Sequence, residues 1–371
     1  MSSQNVLNIV KATQKFEEWL ARHTEVVKAD LRLKHERMAE AIFPFFRATF
    51  YRWAQLWPLV SPELAKAPRV LSVGDLHVEN FGTWRDIEGR LVWGVNDFDE
   101  AALLAYPYDL VRLAASAQLA SESGNLTLKI KDACSAVLEG YHASLRSGGR
   151  PFVLEEDHRW LRQIALAELR DPEQFWQKMD ALPVVREELA VSAKEALEHL
   201  MPEPGLSFRV ARRVAGLGSL GHQRLVAIAE CHGGKIAREA KALVPSSVHW
   251  ARGEEGPSEI LYHAILTRAV RSRDPFVQLR GRWIVRRLSP HCCRVELASL
   301  PADRDELKLL YSMGWETANV HLGSASIKPI RRHGAGLKSA WLTDATKKML
   351  NAVREDWQDW RKAMSSNRKK H

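Results

Sequence analysis

Apolar side chains recur every three or four positions along the first sixty residues of the chain. Val6 and Ile9 begin one stripe that continues through residues 16–20, and residues 38–50 carry a second stripe rich in phenylalanine. This period predicts amphipathic helices that each bury one face. Arg47 interrupts the second stripe, so we expect it either to reach the surface or to pair with a buried acid.

Two short apolar runs replace this pattern after residue 70, and their length and composition predict buried strands at 71–73 and 91–95. Glu88 and Gly89 supply a turn between them. Helical periodicity then returns as far as residue 200. It predicts helices at about 107–122, 126–147, 154–168, 171–179 and 184–200.

The stretch 202–205, rich in proline and glycine, is the clearest linker in the chain. Beyond it the pattern predicts strands at 208–214, 224–230, 236–244 and 281–290, and helices at 257–272 and 303–322. The composition is that of an ordinary globular protein, with 46% hydrophobic and 27% charged residues. A length of 371 residues is enough for two or three lobes with a real core.

The chain is basic, with a formal net charge of +9. Its arginines and lysines gather at 209–213, 280–287, 331–332 and 368–370. Such patches either bind the phosphates of a nucleic acid or surround a nucleotide-phosphate cleft, with a solvated tail adding to the charge. No pattern of a nucleic-acid-binding domain is present, so a nucleotide partner is favoured over nucleic acid.

Several sequence features bear on the compartment. The four cysteines, at 134, 231, 292 and 293, form no C-x-x-C pair, which argues against a zinc site or a disulfide framework. No apolar run is long enough to span a bilayer. Lys11, Glu17 and Glu18 stand within a helical pattern, so the first twenty residues do not read as a signal peptide. We therefore expect a cytoplasmic protein with no membrane partner.

Polar side chains cluster just after the two predicted strands. Asp75, His77 and Asn80 follow the first strand, and Asp97 and Asp99 follow the second. Carboxylates in a water-poor cleft need a cation or several donors, and Mg²⁺ with a polyphosphate meets that need. The spacing of Asp75 and Asn80 matches the D-x-x-x-x-N of a kinase catalytic loop, in which the Asp orients or deprotonates the nucleophile and the Asn binds metal. The predicted catalytic residues are therefore Asp75, His77 and Asn80, and the predicted metal ligands are Asn80, Asp97 and Asp99.

Two other interpretations of these acids were weighed. In the first, they are solvated side chains of a surface hairpin. In the second, Asp75-Leu76-His77 begins the D-x-H motif of a two-metal phosphoesterase. That site needs further histidines in G-N-H and G-H-x-H contexts, and the sequence contains neither.

Residues 216–221 read G-x-G-x-x-G and lie between two predicted strands. Such a motif most often belongs to a Rossmann unit, but there a helix follows the glycines and here a strand does. Strand, glycine loop, strand, turn and lysine-bearing strand is the order of a kinase small lobe. The residues predicted to bind ATP are Gly216, Gly218, Ser219, Gly221 and Lys241.

Alternation along the predicted strand 236–244 places Lys241 on the same face as Glu239, so Lys241 is able to point into a cleft. Glu259, in the following helix, is the first candidate for its acidic partner. Glu254 and Glu255 compete for that role.

Three segments carry a resemblance to a known family: GDLHVENFG at 74–82, NDFDEA at 96–101 and PYDLVRLAAS at 107–116. They resemble the G-D-x-H-x-E-N-F-G, D-F-D and P-x-x-D-L-x-R-L-x-x-S signatures of the bacterial family called domain of unknown function 2252. That family is a remote relative of the protein kinases and aminoglycoside phosphotransferases. The resemblance extends back to Met38 and forward to about Leu322.

Asp109 lies at the start of the helix that carries the third segment. A carboxylate is favoured there by the helix dipole, and we expect it to brace the loop around Asp75. A plain helix cap is the alternative.

The order of the motifs differs from that of an ordinary kinase, in which the small lobe precedes the catalytic loop. Here Asp75 precedes Gly216 by about 140 positions, as a circular permutation would give. The predicted fold class is therefore α+β, a two-lobed kinase-like fold in permuted order. A helical large lobe spans 1–202, a β-rich nucleotide-binding small lobe spans 203–290, and a hinge and helices at 291–371 complete the large lobe.

The predicted function is ATP- and Mg²⁺-dependent phosphoryl transfer to an unidentified small-molecule or protein acceptor. Two alternatives stay open: AMP transfer to protein hydroxyls, and a non-catalytic nucleotide-sensing module. The presence of Asp75, Asn80, Asp97 and Lys241 together favours catalysis, because a binding module needs no base.

Overall fold

The computed structural model describes residues 7–123, 128–155, 157–167, 171–254, 259–290, 292, 306–324 and 326–368. These residues form a mixed α and β structure, as the sequence predicts. The helices are α1 (Ile9–His23), α2 (Lys28–Glu40), α3 (Ile42–Ala48), α4 (Phe50–Val60), α5 (Pro62–Ala65), α6 (Pro107–Ser123), α7 (Ile130–Ser147), α8 (Arg159–Ala167), α9 (Pro172–Asp180), α10 (Val191–His199), α11 (Ser247–Arg252), α12 (Tyr262–Arg268), α13 (Glu306–His321), α14 (Lys328–Ala335) and α15 (Trp341–Arg368). The strands are β1 (Arg69–Ser72), β2 (Phe81–Arg85), β3 (Leu91–Val95), β4 (Ala102–Ala105), β5 (Phe152–Val153), β6 (Arg209–Arg212), β7 (Arg224–Cys231), β8 (Gly234–Ala242), β9 (Gln278–Arg280) and β10 (Trp283–Leu288).

The two N-terminal apolar stripes form helices α1 to α4. Helix α1 begins after Asn8, whose side chain accepts a 2.9 Å hydrogen bond from the backbone nitrogen of Lys11. Phe16 and Leu20 of α1 are buried, and so is Phe46 of α3. The prediction that these stripes bury one helical face is confirmed.

The largest core joins α4, α6, α7, α13 and α15 to strands β1 to β4. Helices α7 and α13 cross at close range because each presents a glycine to the other's backbone. A Cβ atom on Gly140 of α7 would collide with the carbonyl of Tyr311, and one on Gly314 of α13 would collide with that of Val137. This crossing sets the position of α13, whose last residue is His321.

The strands of the helical part form two small antiparallel sheets. Strand β1 pairs with β4, and β3 lies between β2 and β5. The strands predicted at 71–73 and 91–95 are confirmed, but the turn at Glu88 and Gly89 joins β3 to β2 and not to β1. Strand β2 was not predicted, because its residues Phe81 to Trp84 are buried on both faces and apolar and polar positions therefore do not alternate.

The C-terminal strands form a five-stranded antiparallel sheet in the order β6-β7-β8-β10-β9. Helix α10 covers one face, where Leu197 packs with Ala240, and helix α9 covers the other, where Phe175 packs with Val226. These two helices therefore lie with the sheet in space, although the predicted lobe boundary follows them at residue 202. The residues between β6 and β7 contain the glycine motif.

Helices α8, α10 and α12 are shorter than the sequence predicts, and α8 begins at Arg159 instead of 154. Helix α10 begins at Val191 instead of 184, because Val184 forms a β-bridge with Ala211 of β6 and cannot be helical. Helix α12 covers only part of the predicted 257–272 helix. The sequence analysis also missed α11, which the Ser246 side chain caps by accepting a 3.3 Å hydrogen bond from the backbone nitrogen of Val248.

No helix among the described residues has both the length and the apolar character needed to cross a bilayer.

Candidate active site

The loop after β1 is held by a buried carboxylate and a buried histidine. Asp109, at the start of α6, accepts hydrogen bonds from the backbone nitrogens of Val73 (2.8 Å) and Gly74 (3.0 Å). Its Oδ2 also lies 3.1 Å from Nε2 of His321, and both side chains are fully buried. The prediction that Asp109 braces this loop is therefore confirmed. The contact from His321 was not predicted.

Asp75 lies at the tip of this loop and forms an ion pair with Arg112 of α6. The Arg112 guanidinium is fully buried and lies 4.0 Å from the centre of the Phe46 ring. Both of its bonds to Asp75 go to Oδ1, whereas Oδ2 lies toward Gly218 of the glycine loop. Burial raises the pKa of Asp75 above its ordinary value, although the positive charge of Arg112 opposes that rise. Sequence reasoning assigned no role to Arg112, which stands three residues after Asp109 in the same motif.

His77 and Asn80 stabilise the loop from within. Nδ1 of His77 accepts a 3.2 Å hydrogen bond from the backbone nitrogen of Glu79, and Nδ2 of Asn80 donates a 2.6 Å bond to the carbonyl oxygen of Asp75. Arg47 was predicted either to reach the surface or to pair with an acid. It pairs with an acid, Glu79. These contacts keep Asp75 and Asn80 at a constant separation.

Lys241 of β8 meets both acids that follow β3. Its Nζ lies 3.5 Å from Oδ2 of Asp97 and forms a closer ion pair with Asp99. Lys241 is only 3% exposed. The side chain therefore points into the space between the five-stranded sheet and the helical part of the molecule.

Two of the three acids predicted to pair with Lys241 do not pair with it. Glu259 is exposed, and Glu254 pairs with His249 and Arg252. Glu255 lies outside the described residues. The error has a physical reason: the acids that reach Lys241 lie 142 and 144 positions earlier in the chain, and strand alternation carries no information about such distant neighbours.

Glu239, two residues before Lys241, is the counter-charge of an arginine cluster. It is fully buried and forms ion pairs with Arg213, Arg224 and Arg286. Burial alone would raise the pKa of Glu239, but the three guanidiniums outweigh burial and hold it well below its ordinary value. The cluster joins β7, β8, β10 and the residue that follows β6, and Arg224 also donates a 2.9 Å hydrogen bond to Ser219 of the glycine motif.

The glycine motif forms a tight loop in which part of the backbone already makes internal hydrogen bonds. Gly216 and Gly221 have positive φ angles of 76° and 102°, which favour glycine. The backbone nitrogens of Ser219, Leu220 and His222 donate hydrogen bonds inside the loop. The segment 216–218 is consequently the part of the loop that is able to turn amide groups toward a ligand. Gly218 faces Asp75, whereas Gly221 faces Leu31 of α2 and does not line a cavity with the others.

Two neighbouring cavities meet at Asp97 and Gly216. The first, which we call the small chamber, has a volume of about 60 Å³. The second, the large cleft, has a volume of about 320 Å³. The small chamber is lined by Lys34, Arg47, Tyr51, Asp75, His77 and Gly218. The large cleft is lined by Arg213, Arg286, Tyr262, Leu266, Val277 and Leu288.

The predicted metal ligands Asn80, Asp97 and Asp99 all line the small chamber. A group of three histidine, cysteine or carboxylate ligands occurs among the described residues only at Glu203, Cys231 and His232, where Glu203 lies in the linker, Cys231 ends β7 and His232 lies in the turn after it. The Oδ1 atom of Asp99 is buried without a hydrogen-bond partner. Carboxylate and amide oxygens are the donors that Mg²⁺ prefers. The donor set of Asn80, Asp97 and Asp99 thus fits a magnesium ion.

Comparison with known proteins gives one match. Residues 26–204 match the model of the family described as "Uncharacterized protein conserved in bacteria (DUF2252)". The predicted resemblance is confirmed over this range, which contains Asp75, Asn80, Asp97 and Asp99 and ends before the glycine motif and Lys241. No curated protein and no solved structure matches the chain.

Proposed function

We propose that this protein is an ATP- and Mg²⁺-dependent phosphotransferase with a two-lobed, kinase-like fold in circularly permuted order. Residues 1–202 and 291–371 supply the large lobe, and residues 203–290 supply the nucleotide-binding small lobe. The observation that carries the proposal is the meeting of Lys241 with Asp97 and Asp99, two acids that line the small chamber together with the glycine loop. These groups come from two distant parts of the chain.

The sheet supports this assignment through the placement of its parts. The glycine motif joins the first and second strands of the sheet, β6 and β7, and Lys241 stands on the third, β8. Protein kinases likewise have a glycine-rich loop that covers the phosphates and a lysine on their third strand. The five-stranded sheet here thus has both elements in the order found in protein kinases.

The two cavities suit the two reactants of a transfer reaction. The large cleft falls within the usual volume of small-molecule sites and combines apolar side chains with arginines, so we assign it to the nucleotide. The small chamber contains Asp75 together with residues 217–219, Asn80 and Asp99, so we assign it to the acceptor hydroxyl and to the γ-phosphate that the hydroxyl attacks. The rest of the nucleotide then lies in the large cleft, and the two cavities meet at Asp97 and Gly216.

The transfer step assigns a role to each residue. The acceptor oxygen bonds to the γ-phosphorus, the bond from that phosphorus to the β–γ bridging oxygen breaks, and ADP leaves. Asp75 orients the acceptor hydroxyl and takes its proton. Asn80, Asp97 and Asp99 would hold Mg²⁺, which supplies positive charge against the phosphates when bound. His77 and Asn80 keep the loop in place, and Lys241 and residues 216–219 bind phosphate oxygens.

Asp97→Ala tests the nucleotide site. We expect ATP with Mg²⁺ at a hundred times its dissociation constant to stabilise the wild type by about 2.7 kcal/mol. Asp97→Ala should abolish this gain, because it removes an oxygen ligand of the metal that joins protein to phosphates. Thermal unfolding with and without ligand measures both.

Asp180→Ala, which removes an acid that pairs with Lys235 outside both cavities, is the matched control and should keep the full gain. Equal gains in all three proteins would exclude the metal role of Asp97.

Parallel incubations with γ-labelled and α-labelled ATP test the reaction class. Label from the γ position should appear in product when cell extract supplies acceptors. Transfer of α label instead would replace phosphoryl transfer by AMP transfer. Nucleotide binding without transfer of either label would favour a sensing module.

A further inference from the structure

Lys34 of helix α2 is a buried cation that the proposed reaction has not yet used. It is 3% exposed and lines the small chamber. Its Nζ donates a 3.2 Å hydrogen bond to the carbonyl oxygen of Gly218 and lies 5.9 Å from the ring centres of Phe16 and Tyr51. An ammonium group has three donors, so this arrangement leaves further donors directed to the chamber.

No carboxylate among the described residues forms an ion pair with Lys34, although ion pairs elsewhere in the protein are numerous. The three acids that attract it have other partners: Asp75 pairs with Arg112, Glu17 lies 2.6 Å from His35, and Glu100 accepts hydrogen bonds from Ser246 and Ser247. Burial accordingly lowers the pKa of Lys34, against the weaker attraction of these acids. A buried charge without a counter-charge is unfavourable for folding. Such a residue is expected where a ligand brings the missing charge.

Lys34 stands at a well-defined distance from the glycine loop because helix α2 is attached to that loop and its flanking strands. The backbone nitrogen of Val27 donates a 2.9 Å hydrogen bond to the carbonyl of Gly221, and Asp30 forms an ion pair with Arg212. Helix α2 thereby places Lys34 in the lining of the small chamber, beside Gly218. A ligand in the chamber is within reach of both Lys34 and Asp75, which line the same cavity.

We infer that Lys34 binds an oxyanion group of the acceptor, so that the acceptor is a small hydroxyl compound carrying a carboxylate or a phosphate. This inference rests on the proposed phosphotransferase function. Lys34 and Asp75 line the small chamber and not the large cleft. A volume of about 60 Å³ admits a molecule of few heavy atoms and is far too small for a nucleotide. Lys34 is 3% exposed, and its low exposure to water strengthens the attraction between its ammonium and an anion.

The stability of the ligand-free protein gives a first test. Lys34→Met keeps most of the apolar stem and removes a buried charge that has no ion-pair partner in the fold. We expect its melting temperature to equal or exceed that of the wild type. Lys28→Met, at an exposed position of the same helix, is the matched control and should change little. A clear loss of stability in Lys34→Met alone would mean that Lys34 serves the fold, and would overturn the inference.

Binding of small anions gives the second test. Glycolate carries a hydroxyl and a carboxylate, and ethylene glycol replaces that carboxylate with a neutral group. With the nucleotide site saturated by ADP and Mg²⁺, glycolate or inorganic phosphate should raise the melting temperature of the wild type and of Lys28→Met. Ethylene glycol should not. Lys34→Met should bind the anions about tenfold more weakly or worse, since bonds to a charged group are lost. The inference fails if the wild type shows no anion effect, or if Lys34→Met retains it.

The remaining source of an oxyanion is the γ-phosphate of ATP, and a comparison of ATP with ADP distinguishes it. If Lys34→Met weakens ATP binding tenfold but leaves ADP binding unchanged, Lys34 contacts the nucleotide and the acceptor assignment is wrong. No effect on either nucleotide leaves the oxyanion with the acceptor, whereas equal weakening of both would place Lys34 at a phosphate that ATP and ADP share and would also overturn the acceptor assignment. A wild type that binds neither nucleotide would refute the proposed function instead, and the anion measurements without ADP would still decide the role of Lys34.

Discussion

Replacing Asp75 by asparagine should lower turnover by roughly 10²- to 10⁴-fold while nucleotide affinity stays within a few-fold. Asparagine keeps the oxygen that accepts the two hydrogen bonds from Arg112. It loses the basic oxygen that lies toward Gly218 and the small chamber. Because Lys241 and the metal ligands are untouched, ATP should still bind. Transfer of γ label, measured beside nucleotide titration, separates the two effects.

A loss of folded protein would also lower turnover. The test therefore needs a control variant that changes a similar buried ion pair outside the two cavities. Asp356 of α15 forms a comparable buried pair with Arg52, at 2.7 Å from its Nε, and lines neither the small chamber nor the large cleft. Asp356→Asn should lose a similar amount of stability and keep full turnover. If Asp75→Asn abolishes ATP binding while its fold persists, Asp75 is a metal ligand and not the base.

Replacing Glu239 by glutamine should lower the free energy of unfolding at pH 7 by about 3 to 5 kcal/mol. The substitution leaves the buried or half-buried guanidiniums of Arg213, Arg224 and Arg286 without their shared counter-charge. Those arginines connect β7, β10 and the residue after β6 to β8, which carries Lys241. Urea unfolding measures the loss, and nucleotide affinity should fall with it. Glu230→Gln, at an exposed position of β7, is the control and should have little effect.

The same variant makes a prediction about pH. The pKa of Glu239 in the folded protein lies below its ordinary value of 4.5, so the native state releases the proton more readily than the unfolded chain. The stabilisation is therefore complete above about pH 4.5 and is lost as the pH falls toward the native pKa. The difference between wild type and Glu239→Gln should be largest at neutral pH and shrink in acid. A difference that does not change with pH would mean that packing, and not charge, accounts for it.

Much of the local structure followed from the sequence, because local structure depends on neighbours a few positions apart. Apolar spacing of three or four predicted the N-terminal helices, and short apolar runs predicted β1, β3 and the strands around Lys241. The same local reasoning identified Asp75, Asn80, Asp97 and Asp99, since acids directly after buried strands need a cation or a donor. It failed where the cause lay elsewhere in the chain, as at Val184, which a bridge to Ala211 withdraws from helix α10.

The partners of the site residues were decided by the tertiary structure. Lys241 is adjacent to Asp97 across 144 positions, and Lys34 bonds to Gly218 across 184. Neither distance is encoded in a local pattern, because each depends on how the five-stranded sheet packs against helices from the opposite end of the chain. Burial also decided the role of single residues. Lys34 has no distinctive sequence context, but in the structure it is a buried cation with no ion-pair partner among the described residues. The sequence by itself thus determined which chemical groups are present at the ends of the strands, and the packing of distant elements determined which of them meet, because long-range contacts are set by the shape and burial of whole elements.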